Sequence, residues 1–250
     1  VRPELFTVGP FTLHALGAAI GLALVAAWWV VRRMLDEQGH DGAHALWLVG
    51  AAAVGGVVGA RVYYLAEHAG EPGNAVLSGS GLTWYGGLLG GVLGVAGTAL
   101  WLRLPLADVA DAAAPALAVG YAIGRVGCQL AGDGDYGVAS DLPWAMSYPD
   151  GTVPTLEEVH PTPVYETLAS LVIFAVLWRL RHRVDRPWAL FGLWAVLAGA
   201  QRFLVEFVRR NDDMALGLTA AQLTSLALIA LGAAILSRGL SAPPAQARPA

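Results

Sequence analysis

Apolar residues run along this chain in long blocks instead of alternating with polar ones at the spacing of a half-buried strand. Windows long enough to cross about 30 Å of hydrocarbon as a helix fall at Phe11 to Val31, Ala43 to Ala66, Gly81 to Leu102, Ala107 to Ala131, Pro163 to Leu180, Trp188 to Val208 and Thr219 to Leu236. Polar or Pro/Gly-rich stretches such as Asp36 to Gly42, Glu67 to Ser80 and Asp185 to Pro187 separate them. A helix satisfies its own backbone N–H and C=O groups in lipid, and an open strand does not. The pattern therefore predicts an all-α polytopic membrane protein of about seven transmembrane helices: a single transmembrane domain over 1–236, followed by a disordered Pro/Ala-rich tail over 237–250. Arg2 precedes the first window and Arg32 and Arg33 follow it, which reads as a first span and not as a cleaved signal.

Composition strengthens this picture. The 250 residues are 56% hydrophobic and only 14% charged, with a mean hydropathy of +0.56, far from a soluble domain. All 15 basic residues are Arg, and the net charge of −4 points to no nucleic-acid partner. Cys128 is the only cysteine, which excludes an internal disulfide. With no ligand cluster and no soluble-type phosphate loop, neither a metal nor a cofactor is expected.

Arginines also orient the chain. Alternate ends of the windows carry Arg32, Arg33, Arg103, Arg179, Arg181, Arg183, Arg186, Arg238 and Arg248 on one side, against Arg2, Arg209 and Arg210 on the other. The positive-inside rule makes the first side cytoplasmic, with the N-terminus outside and the C-terminus inside. The connection from Gly132 to Glu158, part of an outer loop over 132–162, has no Arg and contains Asp133, Asp135, Asp141, Asp150, Glu157 and Glu158. Loops of this length are usually functional or disordered, and Trp144 and Tyr148 suggest an interfacial segment.

Arg61, Arg125 and Arg202 lie inside the apolar windows, where a cation costs about 2.5–3.5 kcal/mol even on the lenient insertion scale. Each is expected one to two turns before the outer end of its helix. His14 and Tyr85, at the starts of the first and third helices, fall near the same surface, and Glu206 follows Arg202 by one turn. Each feature also has a purely structural reading. The arginines can snorkel, Arg202 and Glu206 can form a packing pair, and His14, Tyr85 and Cys128 can be ordinary interfacial or packing residues. Asp108 and Asp111 read as a charge pair at a helix start. Gly55, Gly56 and Gly59 with Gly86, Gly87, Gly90, Gly91 and Gly94 form small-residue ridges for close helix contact. Thr162 as N-cap with Pro163 at the first helical position explains the start of the fifth helix, and leaves His160 and Glu166 available for chemistry.

Several segments together resemble the prolipoprotein diacylglyceryl transferase family across nearly the whole chain. They are Leu13-His14, Gly59-Ala60-Arg61, Tyr85-Gly86-Gly87, Gly124-Arg125-Val126-Gly127, Gly137, His160-Pro161 with Tyr165-Glu166, and Arg202 through Phe207 with Arg209. The family pattern usually has Asn at the positions of Cys128 and Ala131, Glu near Asp133, one residue fewer before Gly137, a tyrosine at Leu16 and often a histidine at Tyr85. The resemblance implies a bacterial inner-membrane enzyme that moves diacylglyceryl from phosphatidylglycerol to the lipobox cysteine of a prolipoprotein signal peptide, with membrane lipids around it. It further implies that Arg125, Gly137, Arg202 and Glu206 belong to the lipid-binding and reaction site. Arg61 is a further lipid contact, and His14, Tyr85, His160 and Glu206 are the candidates for taking the thiol proton. Two other readings stay open: a paralogue that binds phospholipid or serves another acceptor, and a small-molecule transporter, which calls for internal repeats that the sequence lacks.

Overall fold

The computed structural model describes residues 1–68, 83–215 and 217–241. It contains seven helices among the described residues: α1 (Ala15–Glu37), α2 (His44–Glu67), α3 (Trp84–Trp101), α4 (Leu106–Ala131), α5 (Thr162–Leu180), α6 (Ala189–Glu206) and α7 (Ala220–Ser241). All but α3 are long and apolar enough to cross a membrane, six in number. The 18-residue α3 has no charged residue, but Gly86, Gly87, Gly90, Gly91, Gly94 and Gly97 dilute its apolar content. Side chains such as Ile20, Leu22 and Val25 on α1 and Leu168 and Val172 on α5 are exposed. Apolar stripes of this kind suit hydrocarbon and would be a liability in water. The chain is thus a polytopic membrane protein.

The all-α expectation needs one amendment. Among the described residues three two-stranded antiparallel hairpins accompany the helices, β1 (Glu4–Val8) with β2 (Phe11–His14), β3 (Met146–Tyr148) with β4 (Thr155–Val159), and β5 (Asp213–Ala215) with β6 (Leu218–Thr219). Residues 11–14, expected to open the first helix, form β2 instead, and His14 pairs in register with Glu4. The alternation in Glu4–His14 is that of a hairpin, with Gly9 at φ +59° in its turn, a conformation that glycine adopts without steric cost. At the other end α7 continues to Ser241, and residues 242–250 lie outside the described set, as do the expected loop up to Ser80 and the expected third-helix start at Gly81.

By backbone contacts the chain forms two compact units, Trp28–Val109 and a second made of Val1–Ala27 with Ala110–Ala250. In the first, glycine ridges set α2 against α3. A Cβ on Gly90 would lie 2.8 Å from the Gly59 Cα, and one on Gly59 would lie 2.7 Å from the Gly90 Cα. Lipid provides no hydrophobic drive between helices, so close backbone packing of small residues must supply the association. Replacing Gly90 by Val is therefore expected to destabilise this pair by about 1–3 kcal/mol or more, read as a lower melting temperature in detergent; unchanged melting would contradict the packing argument. The same unit holds a 2.7 Å His40 Nε2 to Asp108 Oδ2 contact.

The second unit uses the same device between α6 and α7, where Gly199 faces the Ser225 carbonyl and Gly232 faces Gly192. Asp111 is not merely part of a charge pair on its own helix: its Oδ1 accepts from the Phe191 N–H, 2.9 Å away. It thus satisfies one of the orphan donors at the start of α6. The segment from Gly132 to Pro161 is a folded cap. Tyr136, Tyr148 and Val159 form a small buried core, with the two rings stacked 5.0 Å apart. Tyr148, expected to sit at an interface, is only 1% exposed and donates to Gln129 Oε1 at 3.0 Å. Its burial follows from the β3–β4 hairpin, which turns the ring inward, whereas Trp144 stays exposed.

Candidate active site

The cap, the end of α4, the start of α5 and the end of α6 converge on one polar cluster in the second unit. Arg125 comes from the last two turns of α4, and Glu166 is one turn into α5. Arg202 and Glu206 close α6, and Arg209 follows it. Asp135 enters from the cap. Thr162 is the first residue of α5 rather than its cap, since Pro161 occupies the capping position. The Thr162 hydroxyl donates instead to the Asp135 carbonyl and so ties the cap to the head of α5.

Three guanidinium groups face three carboxylates. Arg125 pairs with Asp135 Oδ2 and, through Nε at 3.2 Å, with Glu166 Oε2. Arg209 reaches Asp135 Oδ1 at 2.6 Å and Glu166 Oε2 at 3.5 Å. Arg202 Nη1 lies 2.8 Å from Glu206 Oε2 and 3.9 Å from Glu166 Oε1. Glu166 and Glu206 have fully buried side chains, while Asp135 remains 33% exposed. Such burial is tolerable only because every charge has an opposite neighbour; buried charges left unpaired are prohibitive.

Neutral groups complete the shell. The Tyr121 hydroxyl donates to Glu166 Oε1 at 2.5 Å, and the Arg125 guanidinium lies over the Tyr121 ring, 4.9 Å from its centre. Glu206 Oε1 accepts from Asn211 at 2.6 Å and from Thr219 at 2.8 Å. Burial alone would raise the pKa of Asp135, but Arg125 and Arg209 outweigh it and hold the carboxyl below the usual carboxylate range. Cys128 Sγ and the carboxylates of Asp133 and Asp135 lie within 4.8 Å of one another. Because both Asp135 oxygens already face guanidinium groups, this trio belongs to the ion-pair cluster and makes a poor cation site.

Among the residues singled out from the sequence, Arg125, Arg202 and Glu206 meet in this cluster, together with Glu166, which the sequence left available for chemistry. Gly137 and His160 lie at its edge: the Gly137 N–H donates to the His160 carbonyl at 2.8 Å, and Arg210 Nε donates to the Gly137 carbonyl at 2.9 Å. A Cβ on Gly137 would overlap the Val208 carbonyl and come within 2.9 Å of the His160 Cβ. Gly137→Ala is accordingly expected to lower the melting temperature, by a cost of about 1–3 kcal/mol, and an unaltered melt would show that the cap can shift freely. The His160 Nδ1 lies 3.2 Å from the Tyr165 hydroxyl, which accepts from Trp144 Nε1 at 2.8 Å.

His14, at the end of β2, is exposed and makes none of the bonds that tie this cluster together. Arg61 and Tyr85 belong to the other unit. There the Arg61 guanidinium lies 5.3 Å from the Tyr64 ring centre, and Tyr85 stands edge-on to Trp84. Sequence reasoning did not single out Asp135, Arg209 and Tyr121 as site members. Arg209 was visible only through the family resemblance, and nothing in the local pattern around Asp135 marks it as a partner of Arg125.

The sequence matches the family model described as prolipoprotein diacylglyceryl transferase over residues 3–238. Among its relatives are proteins named phosphatidylglycerol–prolipoprotein diacylglyceryl transferase. The one from Chromohalobacter salexigens is 34% identical over 224 residues, covering 85% of this chain and 80% of the relative. That from Dehalococcoides mccartyi is 33% identical over 240 residues, 92% and 91% of the two chains. A third, from Nitratidesulfovibrio vulgaris, is 33% identical over 264 residues, 97% and 95% of the two chains. With a buried cluster that draws Arg125, Glu166, Arg202, Glu206 and Arg209 from segments that carried the resemblance, and a match running almost end to end, this chain belongs to the prolipoprotein diacylglyceryl transferase family.

Proposed function

We propose that this protein transfers the diacylglyceryl group of phosphatidylglycerol to the lipobox cysteine of a prolipoprotein, forming a thioether and releasing glycerol phosphate. The observation that carries the reading is the meeting of Arg125, Arg202 and Arg209 around shared carboxylates, in a family whose relatives are named for this reaction. The forked donors of arginine match phosphate oxygens. Arg202 Nη1 is buried and, among the described residues, has no well-aligned hydrogen-bond acceptor despite its ionic neighbour, so it retains donor capacity for an anion.

The chemistry is a displacement at carbon. The cysteine sulfur attacks the glyceryl carbon bonded to phosphate; the S–C bond forms, the C–O bond breaks, and the electron pair leaves with glycerol phosphate. The leaving group gains negative charge as it departs, and preorganised guanidinium groups stabilise that charge in the transition state. A thiol of ordinary pKa near 8.5 must first lose its proton. His160 is our choice of base: its Nδ1 is engaged by Tyr165, it backs onto Gly137, and its Nε2 makes none of the hydrogen bonds described. Glu206, enclosed by Arg202, Asn211 and Thr219, orients Arg202. The proposed site is built without His14, Arg61 and Tyr85.

In this reading the chain spans the bacterial inner membrane with the cluster toward the outer face, the N-terminus outside and the C-terminus inside. The end of α5 and its connection to α6, with Arg179, Arg181, Arg183 and Arg186, are then cytoplasmic. Purified protein given phosphatidylglycerol and a lipobox peptide is expected to yield a diacylglyceryl thioether and an equal amount of glycerol phosphate. A folded preparation that binds the lipid and makes no thioether would refute transfer and leave phospholipid binding as the function.

A further inference from the structure

Asp135 differs from the other two acids of the cluster in every respect that governs whether a group can leave. Glu166 and Glu206 have fully buried side chains, and neutral donors hold both in place: Tyr121 on Glu166, Asn211 and Thr219 on Glu206. The Asp135 carboxylate is one-third exposed. Its described hydrogen bonds run only to the two arginines, one oxygen to Arg125 and the other to Arg209. Its backbone, by contrast, is fixed, because the carbonyl accepts from Thr162 and from Arg209 Nη1. The side chain is therefore a single anion bridging two guanidinium groups at the solvent side of a buried cluster, on a backbone that does not have to move for it to leave.

That is also the position a phosphodiester needs. Two non-bridging phosphate oxygens bridging Arg125 and Arg209 would repeat what the two carboxylate oxygens now do. Three arginines meet three directly paired acids, with Asp133 a further negative charge beside Asp135, so a phosphate added without a departure adds uncompensated negative charge inside an apolar surround, which is costly.

Resting on the phosphate-clamp reading above, we propose that Asp135 is a resident counter-anion that occupies the phosphate position of the clamp and is displaced when the phospholipid headgroup binds. It keeps Arg125 and Arg209 paired and preorganised between turnovers. In the resting arrangement Asp133 is a like charge within 4.8 Å of it, which lowers the cost of its departure, and the attraction of the two vacated guanidinium groups returns it as glycerol phosphate leaves. Asp135 thus acts as a specificity and product-release residue. A neutral headgroup does not dislodge it, and an anionic product does not stay.

The test is binding of glycerol 1-phosphate to detergent-solubilised, full-length protein by calorimetry, comparing wild type with Asp135→Asn, Asp135→Ala and Asp135→Glu, and with Arg125→Ala as the clamp control. Removing the competing charge is expected to tighten binding by about tenfold or more in the Asn and Ala variants. The Glu variant should stay near wild type, and product inhibition of thioether formation should deepen in parallel with the tighter binding. Equal or weaker binding in the two neutral variants, with wild-type binding intact and lost in Arg125→Ala, overturns the displacement while the clamp stands. No binding to wild type or to any variant overturns the clamp and the displacement together. A measurement on the wild type alone serves if the neutral variants do not fold. In protein labelled with carbon-13 at aspartate carboxylates, glycerol 1-phosphate should shift a carboxylate stretch away from its arginine-paired frequency, and an unchanged spectrum overturns the proposal.

Discussion

Arg125→Ala is expected to reduce thioether formation by at least about 10²–10³-fold, the usual cost of deleting one donor aimed at developing negative charge. Two effects combine at this position. The side chain is a candidate ligand for the leaving phosphate, and it also pairs with Asp135 and, at 3.2 Å, with the buried Glu166. Its loss removes transition-state stabilisation and leaves part of the Glu166 charge uncompensated. Arg125→Lys separates the two, since lysine restores the charge without the planar fork. It should recover melting temperature more fully than turnover. Rates are to be read as thioether formed per folded protein, with phosphatidylglycerol above saturation. An Arg125→Ala rate within threefold of wild type would remove this guanidinium from the mechanism. Arg202→Ala should fall in the same range and release Glu206, whose Oε2 has Arg202 at 2.8 Å and Arg209 at 3.8 Å.

Glu166→Ala has the largest expected effect on stability. Its carboxylate is fully buried, accepts from Tyr121 at 2.5 Å, and lies 3.2, 3.5 and 3.9 Å from Arg125, Arg209 and Arg202 respectively. Deleting it leaves three guanidinium groups against the two carboxylates of Asp135 and Glu206, an uncompensated positive charge in a low-dielectric setting. Breaking a buried pair by removing one partner costs about 3–5 kcal/mol. Glu166→Gln retains the shape and one acceptor for Tyr121, so it should lose less stability than alanine but still weaken the alignment of the arginines. Thermal unfolding in detergent, followed by activity of whatever remains folded, distinguishes the two contributions. If Glu166→Ala unfolds within about 1 kcal/mol of wild type, the carboxylate is not the hub that these distances make it.

All seven helices were legible from the sequence, three of them almost to the residue. The apolar windows at Ala43 to Ala66, Ala107 to Ala131 and Pro163 to Leu180 differ by at most one residue at either end from α2, α4 and α5. A membrane span is a local property: its length is set by hydrocarbon thickness and its hydrogen bonds stay within the segment, so no distant residue is needed to define it. The glycine contacts of α2 with α3 were legible for a similar reason, since small residues repeating at helical spacing mark a close-packed face whatever its partner. The first window failed at Phe11 because a hairpin of apolar and β-branched residues looks like the head of a span when only hydropathy is counted.

Half of the candidate cluster was legible too. Arg125, Arg202 and Glu206 were conspicuous because charge inside an apolar block is costly and therefore meaningful. Asp135 and Arg209 were not conspicuous, because each sits in a polar connection where charge costs nothing and carries no signal. Only the fold of the Gly132–Pro161 cap, with its own small core and the Thr162 bond to the Asp135 carbonyl, brings that acid onto the two arginines. The sequence by itself determined the apolar helices and the arginines that demand a partner. The tertiary structure alone decided which partners they have, because ion pairing acts across tens of residues of intervening chain, and a hydropathy pattern records only the cost of each charge and not where it is repaid.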